Sequence, residues 1–158
     1  MQKITPCLWF DDQAEEAVNF YLDVFKDSKI IQTMHYSEVG QEIHQKKPGS
    51  VMTIEFELNG QRFIALNAGP AFKFSEAISF QVNCVDQDEI DYYWDRMSAV
   101  PEAEQCGWLK DKFGLSWQIT PILLTEFTDP IRSQNVMKAL FEMKKLDIAK
   151  LQEAYDQA

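Results

Sequence analysis

The feature of this chain that most constrains its fold is an opening pattern that occurs twice. The segment Leu8-x-Phe10-x-Asp12-x-x-Glu15 returns 74 residues later as Val82-x-Cys84-x-Asp86-x-x-Glu89. Each copy begins with a short segment in which apolar residues occupy alternate positions. An aspartate follows at a helix N-cap position, with a glutamate three residues later. After it, apolar residues recur with the period of a helix. Each copy therefore predicts a β-strand that leads into a capped helix. Two copies predict two similar modules in one chain.

The length of 158 residues allows two half-size modules that share one core, so we expect a single domain over 1–158. Module one is expected over 3–69, module two over 77–121, and a C-terminal helical tail over 122–158. Hydrophobic residues make up 46% and aromatic residues 13% of the chain, which is typical of a globular protein rather than a disordered one.

The acidic excess restricts the partners of the protein. Fifteen basic and 25 acidic side chains give a formal charge of −10, which repels phosphate backbones and anionic membranes. We therefore expect neither a nucleic-acid nor a membrane partner. Three cysteines at unpatterned spacings fit reduced thiols, and the N-terminal residues contain no apolar signal segment. These features predict a cytoplasmic protein.

Alternation and turn residues predict the elements of module one. They are a strand over 3–10, a helix over 13–25, and strands over 30–36, 51–58 and 62–66. The pair Asn59-Gly60 predicts a tight hairpin between the last two strands, because both central residues of such a turn need positive φ. The stretch 37–50, with two glycines and Pro48, is expected to be a loop.

Module two is the shorter copy and has one strand fewer in its pattern. We expect a strand over 78–84, a helix over 88–97, strands over 105–109 and 115–120, and a turn around 111–114. In the tail, apolar residues recur at helical spacing between Ile131 and Tyr155, which indicates a packing surface. Trp94 and Trp117 fall on inward positions and are expected in the core.

Aligning the two copied strands separates an apolar from a polar face. The apolar positions, predicted to face the helices, are Ile4, Pro6, Leu8 and Phe10 in one copy and Ile78, Phe80, Val82 and Cys84 in the other. The opposite positions are Thr5, Cys7 and Trp9, matched by Ser79, Gln81 and Asn83, and the last strand adds Ser116, Gln118 and Thr120. If both sheets curve, their polar faces enclose a cavity.

Four segments carry a resemblance to a known family. They are 7–12 (CLWFDD), 14–21 (AEEAVNFY), 106–114 (CGWLKDKFG) and 143–149 (MKKLDIA). With the paired pattern, they resemble the vicinal oxygen chelate superfamily, which includes glyoxalase I and the fosfomycin resistance proteins. The closer resemblance is to its PhnB-like subgroup, often labelled 3-demethylubiquinone-9 3-methyltransferase-like. It covers nearly the whole chain and implies an α+β fold of paired βαβββ modules and a homodimer.

The resemblance also gives positions for the metal ligands of metal-dependent relatives. Carried over to this sequence, they are Thr5, Ile64, Ser79 and Gln118. None is a histidine or a carboxylate, so we expect no metal and no other cofactor. The two histidines, His35 and His44, fall on a peripheral strand and in the long loop. The methyltransferase label receives no support from the residues, because the six glycines never occur as Gly-x-Gly.

These considerations leave two functional classes open. The first is a non-catalytic protein that binds a small neutral or aromatic molecule, and the second is an enzyme of the same superfamily with altered chemistry. The predicted ligand-binding residues are Thr5, Cys7, Trp9, Ser79, Gln81, Asn83, Trp108 and Gln118. Cys106 could be a nucleophile, but no base lies at a predictable distance and an incidental thiol is the preferred interpretation. The acidic residues 11–12 and 15–16 are interpreted as helix capping.

Overall fold

The computed structural model describes residues 2–157, and these divide into two compact units at the step from Phe74 to Ser75. Each unit combines a β-sheet with helices, which confirms the α+β class. The single shared domain over 1–158 stays a prediction. None of the helices in the described range has the length and apolar character of a membrane span.

Unit one is a four-stranded sheet with one long helix. Its elements are β1 (Cys7–Phe10), α1 (Ala14–Val24), β2 (Ser28–His35), α2 (Gln41–His44), β3 (Val51–Leu58) and β4 (Gln61–Asn67). The strand order is β1-β4-β3-β2, with β1 parallel to β4 and the other pairs antiparallel. The predicted hairpin turn is confirmed, because Asn59 and Gly60 have φ of +47° and +83°. The predicted loop differs, since a one-turn helix, α2, lies within it.

The core of unit one lies between α1 and one face of the sheet. Val18 and Tyr21 of α1 are fully buried, and the Tyr21 ring stacks on that of Phe56. Leu8 and Phe10 are buried as the alternation predicts, but Ile4 is 82% exposed. The predicted start of the strand at residue 3 is therefore wrong: pairing with β4 begins only at Cys7, and Ile4 lies before the strand with its side chain in solvent.

Unit two has a three-stranded sheet followed by the helical tail. Its elements are β5 (Ser79–Cys84), α3 (Gln87–Met97), β6 (Trp108–Lys110), β7 (Ser116–Pro121), α4 (Pro130–Phe141) and α5 (Ile148–Asp156). The order β5-β7-β6 has one strand fewer than unit one, as the sequence predicts. Short 3₁₀ turns at Pro101–Ala103 and Ile122–Glu126 complete it.

Two apolar clusters stabilise unit two. Trp94 of α3 and Trp117 of β7 are buried in the first, as predicted. The second belongs to the tail, where Val136, Leu146 and Leu151 are buried, so the helical stripe is a packing surface. Ile78 is 59% exposed, because β5 begins only at Ser79, and its predicted inward position is wrong.

The two copies of the capping motif behave differently. The Asp86 carboxylate accepts a hydrogen bond from the Glu89 amide at 2.9 Å, and α3 begins as predicted. The prediction for Asp12 is wrong, because α1 begins after Gln13 without a side-chain cap from that residue. Instead, the Ala14 amide donates to Asn67 Oδ1 at 2.8 Å, so a residue at the end of β4 takes the role of the cap.

This difference gives a matched pair of variants. Asp86→Ala should lower the free energy of unfolding by about 1 kcal/mol, because it removes the acceptor for the first turn of α3. Asp12→Ala should change it by less than about 0.5 kcal/mol, as for an ordinary surface substitution. Urea denaturation of both variants measures the difference. Equal losses for the two would contradict this assignment of the caps.

Candidate functional site

A row of three side chains crosses the sheet of unit two. Gln118 of β7 is the register partner of Gln81 on β5 and also of Trp108 on β6. Because register partners on neighbouring strands lie on the same face of a sheet, these three residues form one continuous row. The sequence alternation predicted this face correctly for Gln81 and Gln118.

Hydrogen bonds within the sheet orient the two amides of the row. Gln118 Nε2 donates to Ser79 Oγ at 3.0 Å, and Gln81 Nε2 donates to Asn83 Oδ1 at 2.8 Å. Both bonds use the amide nitrogen. No donor to the side-chain carbonyl oxygen of Gln81 or Gln118 is found within residues 2–157, so both oxygens can accept from a ligand.

The row lines a pocket with a volume of about 330 Å³ that lies wholly within unit two. One side of the lining comes from the sheet and its turns: Gln81, Asn83, Cys106, Trp108, Gln118, Thr120 and Pro121. The other side comes from the tail: Leu124, Thr125, Leu140, Phe141 and Leu146. No side chain in this lining carries a formal charge.

Two hydroxyl groups on this sheet face have no partner. The Oγ1 atom of Thr120 and the Oγ atom of Ser116 are buried, and neither has a hydrogen-bond partner within residues 2–157. Thr120 lines the pocket and follows Gln118 by two residues on the same face. An unpaired buried hydroxyl is costly, by about 1–3 kcal/mol, and the Thr120 hydroxyl is therefore an unfavourable polar group beneath the pocket surface.

The structure brings together the predicted site residues of module two. Gln81, Asn83, Trp108 and Gln118 line the pocket, and Ser79 is hydrogen-bonded to Gln118. The others, Thr5, Cys7 and Trp9, belong to unit one. The Trp9 indole donates to the Gly69 carbonyl at 2.9 Å, and its ring packs edge-on against Phe72. That the three share a cavity with Gln118 stays a prediction.

Sequence reasoning missed a charged cluster on the sheet of unit one. Arg62 donates to Glu55 at 3.1 Å and lies 3.8 Å from Glu57. The signal was present, because Thr53, Glu55 and Glu57 alternate with buried residues along β3. The three charged groups are partly exposed, and they bind one another rather than standing free.

The cysteines differ in environment. Cys7 is exposed, Cys106 is half-exposed in the pocket lining, and Cys84 is buried. Burial, with a smaller contribution from the carboxylates of Glu89 and Asp86, raises the pKa of the Cys84 thiol to about 12. Cys84 is therefore protonated at neutral pH and does not provide a thiolate nucleophile.

The donor set does not fit a metal centre of the superfamily kind. The carried-over positions Thr5, Ile64, Ser79 and Gln118 offer hydroxyl, alkyl and amide groups, and the Gln118 amide is already bonded to Ser79. Residues 2–157 contain no group of three or more histidine, cysteine, aspartate or glutamate side chains placed to hold an ion. His35 lies on the edge strand β2, as expected from the sequence, whereas His44 lies in the short helix α2 rather than in an extended loop.

Comparison with known proteins gives one family. The family model described as 3-demethylubiquinone-9 3-methyltransferase matches residues 2–120. The PhnB protein from Bacillus cereus is 36% identical, with 76% of this chain and 99% of that chain covered and a TM-score of 0.62. No curated protein matches the chain. The predicted resemblance is confirmed, but the family match ends before the tail motif at 143–149.

More distant structures share the fold alone. A protein from Pseudomonas aeruginosa is 14% identical over 77% of this chain and 98% of its own, with a TM-score of 0.56. The fosfomycin resistance protein FosX from Listeria monocytogenes is 12% identical, with 80% of this chain and 97% of that chain covered and a TM-score of 0.52. These similarities agree with the glyoxalase-like fold that the paired sequence pattern implies.

Proposed function

This chain belongs to the 3-demethylubiquinone-9 3-methyltransferase family, the PhnB-like proteins of the vicinal oxygen chelate superfamily, and we propose that it binds a small neutral molecule. The observation that carries the proposal is the pocket of unit two, where two glutamine amides and a tryptophan form one row in an uncharged lining. The binding site is the sheet face that contains Gln81, Trp108 and Gln118.

The lining favours a neutral ligand over an ion. A charged group that leaves water needs a counter-charge or several strong hydrogen bonds, and no ionised side chain lines this pocket. The side-chain amides and hydroxyl groups of the lining can instead exchange hydrogen bonds with a neutral polar ligand. The Trp108 ring offers a flat apolar surface. A volume of about 330 Å³ suits a small metabolite.

Binding without turnover fits this site better than catalysis. Its lining holds no imidazole or carboxylate to act as a general base, and its one thiol, Cys106, has no base beside it in the lining. We propose that the protein works without a metal and without another cofactor, because the carried-over ligand positions are unsuitable for an ion. The methyltransferase in the family's description is not carried over, since the chain lacks the glycine-rich turn that the methyl donor ordinarily needs.

We also propose that the protein is a cytoplasmic homodimer. Support for the dimer comes from β2 and β6, which lie at the ends of their sheets and present edges that a symmetric partner can cover. Support for the location comes from the sequence, whose three cysteines follow no disulfide pattern.

Native mass spectrometry of the protein purified without chelator tests these proposals together. We expect a mass of 36.6 kDa, twice the 18.3 kDa of one chain, plus a bound organic molecule and no stoichiometric transition metal. Gln118→Ala should reduce ligand affinity about tenfold, because it leaves a ligand group unpaired at a cost of about 1–3 kcal/mol. Its melting temperature should stay within a few degrees of the parent.

The matched control is Gln134→Ala on the exposed side of α4, which should leave ligand occupancy unchanged. Full occupancy in Gln118→Ala would contradict the proposed site. One zinc, nickel, manganese or iron ion per chain would contradict metal independence. Turnover of an identified ligand that Gln118→Ala abolishes would establish the enzyme interpretation instead.

A further inference from the structure

The pocket of unit two has two unlike walls. The sheet wall carries the carbonyl oxygens of Gln81 and Gln118 and the unpaired Thr120 hydroxyl. The wall from the tail is mainly apolar: it consists of Leu124, Leu140, Phe141 and Leu146, with Thr125 as its one polar residue. This second wall lies outside residues 2–120, so the family match says nothing about it.

The tail wall is fixed to the sheet side by two backbone hydrogen bonds and one from a side chain. The amides of Cys106 and Gly107 donate to the carbonyls of Met143 and Lys144, both at 2.8 Å. Gln105 Nε2 donates to the Phe141 carbonyl at 2.8 Å. These three bonds join the turn before β6 to the last residue of α4 and to the segment that follows it, so the wall has a defined position.

Helix α3 holds the same segment from its other side. Lys145 Nζ lies 2.9 Å from Asp91 Oδ1, and this hydrogen bond lowers the pKa of the Asp91 carboxyl. Gln87 donates from Nε2 to the Leu146 carbonyl at 3.1 Å and accepts from the Ile148 amide at 2.8 Å. The segment 141–148 is therefore bound on two sides, and this holds its two pocket-lining residues, Phe141 and Leu146, in place.

Phe141 is the unusual member of this wall. Its side chain is 59% exposed, although it lines the pocket with the half-buried Leu140 and Leu124. Covering a large exposed ring with a second apolar surface is favourable, because it removes apolar area from water. Together with Trp108, Phe141 offers aromatic surface to a flat molecule.

We infer that the ligand is a neutral aromatic compound with N–H donors, such as an aromatic carboxamide, and that Phe141 is a specificity-determining residue for its ring. The inference rests on the proposed function and assigns the polar and apolar parts of the ligand to the two walls. The N–H groups bind the carbonyl oxygens of Gln81 and Gln118, and the ring lies against Trp108 and Phe141.

Two probes distinguish the contributions of the two walls. 2-Naphthamide has an aromatic ring and a carboxamide, whereas acetamide has the carboxamide without the ring. Dissociation constants are measured by NMR titration of the full chain, with the Trp108 indole signal as reporter. Phe141→Ala should raise the dissociation constant of 2-naphthamide at least fivefold and leave that of acetamide unchanged. The matched control is Ile131→Ala, an exposed apolar residue of the same helix outside the pocket, which should alter neither value.

The outcomes distinguish the inference from the proposed function. Equal 2-naphthamide binding by the parent and Phe141→Ala overturns the inference, as does the absence of saturable 2-naphthamide binding. The proposed function fails separately, if Gln118→Ala leaves the binding of both probes unchanged. Loss of both probes in Phe141→Ala would also overturn the inference, because the residue would then support the whole pocket rather than the ring.

Discussion

Replacement of Asp111 by alanine is expected to lower the free energy of unfolding by about 3–5 kcal/mol, because three donors lose their acceptor and each unsatisfied buried group costs about 1–3 kcal/mol. The Asp111 side chain is 1% exposed, and it joins the turn between β6 and β7 to the core. Its Oδ1 accepts from the amides of Phe113 and Leu115 at 2.9 and 3.0 Å, and its Oδ2 accepts from the Trp117 indole at 2.9 Å. Alanine leaves the Leu115 amide and the Trp117 indole buried without this acceptor, and the partly buried Phe113 amide also loses its bond.

Asp111→Asn is the matched control for shape. It keeps one acceptor oxygen but places an amide NH₂ against N–H donors, so the loss should be intermediate. Urea denaturation monitored by tryptophan fluorescence and circular dichroism measures both variants. A loss below about 1 kcal/mol for Asp111→Ala would contradict the role given to this carboxylate.

Gly107→Ala is expected to lower the free energy of unfolding by about 2–4 kcal/mol. Gly107 has φ of +84°, which L side chains rarely adopt. A Cβ atom there would lie 3.0 Å from the Ile119 carbonyl oxygen and 3.1 Å from two carbons of Leu146. Because Leu146 belongs to the apolar pocket wall, the substitution should also weaken ligand binding.

Gly114→Ala is the matched control for backbone strain. Gly114 has a similar φ of +88°, but a Cβ atom there meets nothing within 4 Å. Gly114→Ala should lower the free energy of unfolding by only about 1–2 kcal/mol, which is the cost of placing an L residue in the left-handed backbone conformation. The difference between the variants in the same denaturation experiment measures the crowding of the added Cβ against the Ile119 carbonyl and Leu146. Equal losses would contradict the close approach of Ile119 and Leu146 to Gly107.

Much of the fold follows from local patterns in the sequence. The Asn59-Gly60 turn, the Asp86 cap and the alternation of β7 each depend on residues within a few positions of one another. The cap of α1 does not: its acceptor, Asn67, lies 53 residues away, so Asp12 looked like the better candidate. The exposure of Ile4 likewise depends on where pairing with β4 begins, which alternation alone does not specify.

The candidate site was predictable on one side only. The two-residue period of a strand placed Gln81, Asn83 and Gln118 on one face, and the structure brings them to one pocket. A helical stripe indicates that Leu140 packs against something, but the partner depends on tertiary structure. Phe141 was missed for this reason. The turn sequence around Asp111 did not indicate that its carboxylate would be buried and would accept a hydrogen bond from the Trp117 indole.

The most direct test of the proposed binding site is an NMR titration of the protein with 2-naphthamide, followed through side-chain amide and indole signals. The account predicts that the signals of Gln81, Gln118 and Trp108 shift together and saturate at one equivalent per chain, while Gln134 on the exposed side of α4 stays unchanged. Signals of the three pocket residues that stay fixed while others shift would contradict it.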